Sequence, residues 1–131
     1  MSKNNSIVTE LGKLDGRDCI YLDSVKQCFS PNRLTFSGEI NGDLCENNPF
    51  GHRWLAYELS FYQIQAFECR ELEICNWEIE SSFDEIHDSK LLIELGLDEK
   101  SYKHYILSTY DYVYSIVAKG YELKITGYRN G

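Results

Sequence analysis

Glu71 and Glu73 stand two positions apart in an alternating run, so a strand would set both carboxylates on one face, about 6.5–7 Å apart. Such a pair can serve as general acid and base when a dry pocket holds one of them protonated. The surroundings argue against it here, because carboxylates as numerous as those around Glu71 form a solvated surface. Glu58 is a more isolated acid, on the same strand face as Trp54 and Ala56; if buried, it would need a partner such as Arg53 or a tyrosine hydroxyl. Cys45, Glu46 and His52 share one polar stretch and, with His87 and His104, are the candidate metal ligands. No two histidines hold the i, i+4 spacing of a helical zinc motif and no cysteines form a CxxC pair, so no metal is assigned. Cys69 sits among Glu68, Arg70 and Glu71, unlike the electropositive settings that make a thiol nucleophilic.

No GxSxG elbow, GxxxxGK[ST] loop or GxGxxG turn occurs. No catalytic residue and no cofactor is assigned, and the chain is read as non-enzymatic.

The strongest feature is electrostatic. Glu68, Glu71, Glu73, Glu78, Glu80, Asp84, Glu85, Asp88, Glu94 and Asp98 crowd one stretch against only Arg70 and Lys90, which accounts for the whole formal net charge of −8. A field of one sign repels polyanions and attracts basic partners before contact forms. Nucleic acid is therefore excluded as a partner, since its recognition needs a basic face. The partner expected is another, basic protein, contacted through Glu71, Glu73, Asp84, Glu85 and Asp88, with Trp77 as the aromatic anchor. Small, acidic chains without catalytic motifs resemble bacterial immunity proteins, which neutralise basic nuclease toxins. This resemblance is carried by size and charge, with no shared motif, and implies an immunity-type or regulatory role.

At 131 residues the chain is read as one globular domain, 1–131, with 1–6 loose. Its 43% hydrophobic content, with 10 tyrosines and 6 phenylalanines, supports a packed core rich in sheet. No run of roughly 18 apolar residues is present, so no membrane span is expected. An odd number of cysteines, 5, suits reduced thiols and a cytoplasmic, bacterial-type setting.

Alternation predicts strands over 34–40, from Trp54 to about Ile74 with a break near Tyr62–Gln65, over 102–109 and over 121–126. Residues 41–52 are expected to form an ordered loop. Ser82-Phe83-Asp84-Glu85 fits a capping box and predicts a helix ending at Gly96. Asp111 is placed to cap a second helix, with Val113, Ile116 and Val117 inward and Gly120 as its stop. The fold class expected is α+β: one antiparallel sheet of about five or six strands carrying two helices on one face.

A second reading is a small-molecule binder or enzyme whose pocket between sheet and helices is lined by Trp54, Tyr57 and Tyr110, with Glu58 or Asp111 as the polar group. Homo-oligomerisation through an open sheet edge is compatible with either reading.

Overall fold

The computed structural model describes residues 3–129. Alternation sets the first half of the architecture. In β3 (Asn32–Asn41), Leu34, Phe36 and Ile40 turn to the interior; in β4 (Trp54–Tyr62), Leu55, Tyr57, Leu59 and Phe61 do the same. These strands pair antiparallel from Arg33↔Tyr62 to Asn41↔Trp54, and β2 (Ile20–Phe29) and β9 (Gly120–Arg129) flank them in the order β2-β3-β4-β9. Residues 41–52 form the expected loop, with a 3-10 turn at Gly42–Leu44.

The break after Tyr62 is a change of sheet. Gln63 adopts a positive φ of 55°, and the chain enters β5 (Ala66–Glu71), the edge of a second antiparallel sheet. Its order is β1-β6-β7-β8-β5, with β1 (Lys3–Ser6), β6 (Phe83–His87), β7 (Lys103–Ser108) and β8 (Tyr112–Ala118). Among the described residues there are thus nine strands in two sheets and one α-helix, α1 (Lys90–Leu95). The sheets face each other across Phe36, Phe61, Phe83, Tyr105, Tyr114 and Tyr121, whose rings meet edge-on or tilted. Aromatic pairs of this geometry add specificity to the area they bury.

The expected α+β fold with a single sheet and two helices is therefore corrected to a mainly β, two-sheet sandwich. Two segments account for the difference. Residues 83–87 are strand, because Asp84 turns its side chain back onto the amides of Glu80 and Ser81, while the Ser82 hydroxyl donates to the Gly16 carbonyl and caps nothing. Local side-chain bonds of this kind compete with a helix start. The helix begins later, capped by Ser89, whose Oγ accepts from the Leu92 amide, and it ends as expected at Gly96 with φ 69°. It is short, and of its apolar residues only Leu92 is buried.

Residues 112–118 are also strand. Val113, Ile116 and Val117 are buried because β8 is covered on both faces, which imitates helical spacing over so short a run. Asp111 lies instead in the tight β7–β8 turn, closed by Thr109, whose amide and hydroxyl both reach the Tyr112 carbonyl. Lys3–Ser6, expected to be loose, is paired with β6; Met1 and Ser2 lie outside the described residues. No helix among the described residues is long and apolar enough to cross a membrane.

Candidate functional site

β5 ends at Glu71, and the chain passes through a 3-10 turn at Leu72–Ile74 before crossing to the start of β6. Glu71 and Glu73 are therefore not neighbours on one strand face, and the acid–base pair that alternation suggested does not form. The crossing segment instead builds one end of the sandwich. The Leu72 amide donates to the Asp111 carbonyl, the Ser82 amide to the Leu14 carbonyl, and the Ser108 amide to the Ser82 carbonyl. Residues 14–20, 71–82 and 108–111 are thereby brought together around an open hollow of about 230 Å³. Leu72 and Ile79 line it with Asp15, Arg17 and Glu80, and the Ser108 hydroxyl beside them is buried with no hydrogen-bond partner among the described residues.

This end concentrates exposed acids from distant parts of the chain: Asp15, Asp18, Glu71, Glu73, Glu80 and Asp111. Arg17 is the cation among them, held by Glu73 at 3.1 Å and by the Tyr110 carbonyl at 3.2 Å. The Tyr21 hydroxyl has its pKa raised by burial first and then by Asp18 and Tyr110, with Arg53 acting in the opposite direction. The second half of the acidic stretch lies at the opposite end. There Glu85 faces Lys103 at 3.9 Å and His87 at 3.7 Å, and Asp88, Glu94 and Asp98 share the surface with Lys90 and Lys100. The stretch is thus divided between two ends, one strongly acidic and one mixed.

The six residues expected to dock the partner fall in four places. Glu71 and Glu73 belong to the acidic end. Trp77 is half-buried over the outer face of the five-stranded sheet, with the Arg70 guanidinium 4.2 Å from its ring. Asp84 is fully buried and accepts from the Glu80 and Ser81 amides, the Ser81 hydroxyl and the Asn4 side chain. Glu85 and Asp88 sit at the far, mixed end, where the Asp88 amide donates to Glu99.

The alternative pocket also disperses. Tyr57 points into the core, its hydroxyl donating to the Tyr21 carbonyl and its pKa raised by burial. Trp54 and Glu58 are on the outer face of the four-stranded sheet, Trp54 beneath Arg53 and Arg129, and Glu58 opposite Ser37 and Lys124. Only Tyr110 and Asp111 share a cleft, together with Tyr112 and Tyr114 from the same stretch and with Tyr21 and Asp23, of which sequence reasoning gave no sign. No short motif marks these residues, because the cleft joins β2 to the β7–β8 turn across the sandwich.

His104 was a candidate ligand. Its Nδ1 lies 2.7 Å from Ser89 Oγ and its Nε2 2.8 Å from Ser115 Oγ, and burial lowers its pKa to about 4. Both serines are buried, so this trio ties α1 to the sheet and offers no accessible nucleophile. The His52 ring stacks on Tyr128 and Cys45 hydrogen-bonds the Asn41 carbonyl; among the described residues no group of three or more His, Cys, Asp or Glu side chains could hold a metal ion. Comparison with protein-family models, with curated proteins and with solved structures finds no match.

Proposed function

We propose that this protein is a non-catalytic interaction module that docks on a basic protein partner through the acidic end of its sandwich. The observation that supports this reading is the meeting of three acidic segments at one end, where Asp15 and Glu80 line an open hollow, Glu73 holds Arg17 beside it, and Asp18, Glu71 and Asp111 lie exposed on the same segments. Carboxylates drawn from three separate segments give a local field that steers a basic surface toward this end. The hollow between Leu72 and Ile79 gives an apolar contact inside the charged rim, the arrangement in which a buried anchor contributes most. A regulatory or immunity-type role is the form such docking would take in a cytoplasmic setting.

The test is affinity capture from the source cell at low and high salt, run in parallel with two variants. One reverses the acidic end (Glu71→Lys, Glu73→Lys and Glu80→Lys); the other reverses Glu94 and Asp98 at the mixed end. One basic protein held in stoichiometric amount, released by salt and lost only with the first variant, is the expected result. A partner lost equally with both variants, or retained by both, overturns the reading.

A further inference from the structure

We infer that the cleft between β2 and the β7–β8 turn receives the guanidinium group of an arginine side chain presented by the partner. The inference rests on the docking reading above and names the contact that would give it specificity.

The cleft encloses about 320 Å³ and is walled by Tyr21, Tyr110, Tyr112 and Tyr114, with Asp23 and Asp111 at its mouth. No lysine or arginine lines it, and neither carboxylate has an ion pair or side-chain hydrogen bond among the described residues. Asp23 owes its place to a β-bulge: the pairing of β2 with β3 shifts register between Leu22 and Ser24, leaving Asp23 unopposed. Asp111 is fixed from the other side by the Thr109–Tyr112 turn and by the Leu72 amide on its carbonyl. Two rigid elements therefore hold two exposed anions beside aromatic rings.

The rings differ in what remains open. Tyr21 and Tyr110 stack on each other, with centroids 5.2 Å apart, and Arg17 lies 4.9 Å from the Tyr110 ring. Tyr114 is packed between Phe36 and Phe67. Tyr112 has no ring or cation partner among the described residues and is 44% exposed, so its face is the one open to an incoming group. A planar cation fits this combination, since it can lie on a π face while its edge donates to carboxylates. Elsewhere the chain uses the same pairing for its own side chains: Arg17, Arg33, Arg53, Arg70 and Arg129 each cover an aromatic ring. In the cleft Arg17 already covers Tyr110, whereas Tyr112, with Asp23 and Asp111 beside it, has no such cation among the described residues.

The experiment titrates the isotope-labelled full chain with arginine amide and with citrulline amide, its uncharged isostere, while following backbone amide shifts. Saturating shifts at Asp23, Tyr110, Asp111 and Tyr112 with arginine amide alone are expected. The Asp23→Asn, Asp111→Asn double variant should weaken that binding about tenfold with its melting temperature unchanged. Equal shifts with citrulline amide, or an unaltered titration in the double variant, overturn the inference. Capture of the partner separates the two readings. Capture lost on reversing Glu71, Glu73 and Glu80 but intact in the double variant removes the cleft and leaves the docking end standing. Capture indifferent to both sets of changes removes both.

Discussion

The Ser81 hydroxyl donates to the Asp84 carboxylate over 2.6 Å, inside a knot that also receives the Glu80 and Ser81 amides and the Asn4 side chain. A carboxylate that is fully buried can persist only when donors replace the water it lost. Here the donors come from the end of the crossing segment and from β1, so one side chain pins both to β6. Asp84 is therefore part of the frame that holds the acidic end, with no exposed surface of its own.

Removing that carboxylate should loosen the crossing segment first. Asp84→Ala leaves several buried donors unpaired and is expected to cost about 3 kcal/mol or more. Chemical denaturation gives the loss, and hydrogen exchange should show it largest over 76–84. Protection lost evenly over both sheets would instead mark Asp84 as one contact among many.

The aromatic interface between the sheets makes a second expectation quantitative. Phe61 is fully buried and its ring meets Phe36, Phe83, Tyr105 and Tyr121. Phe61→Ala should destabilise by about 3–5 kcal/mol. Phe61→Leu, which keeps most of the volume, should cost clearly less. Equal losses in the two variants would show that cavity volume is not what matters there.

His104 sets a pH dependence whose direction follows from its surroundings. Its folded pKa, about 4, lies below the ordinary histidine value of 6.5, because burial disfavours the charged ring. The unfolded chain then binds the proton more readily, so stability is complete above about pH 7 and falls as pH drops through 6.5 toward 4. His104→Gln, which carries no ionisable ring, should flatten that part of the profile relative to the parent by on the order of 2–3 kcal/mol. Parallel profiles for the two proteins between pH 7 and 4 would contradict this.

The bulge that sets Asp23 beside the cleft depends on Gly38, which pairs with Leu22 across β2 and β3. A Cβ at this glycine would run into the Tyr21 carbonyl, which is main chain and cannot swing aside. Gly38→Ala is expected to cost about 2 kcal/mol or more. It should also move the amide resonances of Tyr21 to Ser24 before those of the distant α1. A neutral outcome would show that the edge strand yields easily.

Much of the four-stranded sheet was legible in advance. β3 and β4 each have one buried face and β9 a half-buried one, and the contrast between Leu34, Phe36 and Ile40 and their polar neighbours is what alternation detects. The end of β2 was not legible, because Val25, Gln27 and Phe29 sit on an open edge and show no contrast in burial. β6 and β8 failed for the opposite reason. Both of their faces are covered, so the adjacent Phe83 and Asp84 in β6, and every residue from Val113 to Ala118 in β8, are buried without regard to parity.

The charge map shows the same limit. Counting along the chain marks the stretch from Glu68 to Asp98 as acidic, yet it cannot show that the stretch runs from one end of the sandwich to the other. Nor can it show that Asp15, Asp18 and Asp111 join the first half of that stretch. That grouping exists only because the crossing segment bonds to Leu14 and to Asp111.

The most direct measurement is hydrogen exchange on the complex with the captured partner, compared with the free protein. Slowed exchange over 14–23, 71–82 and 109–112, with α1 and the outer face of the four-stranded sheet unchanged, is the result expected if the acidic end is the docking surface. Protection confined to α1, to β9 or to that outer face would contradict it.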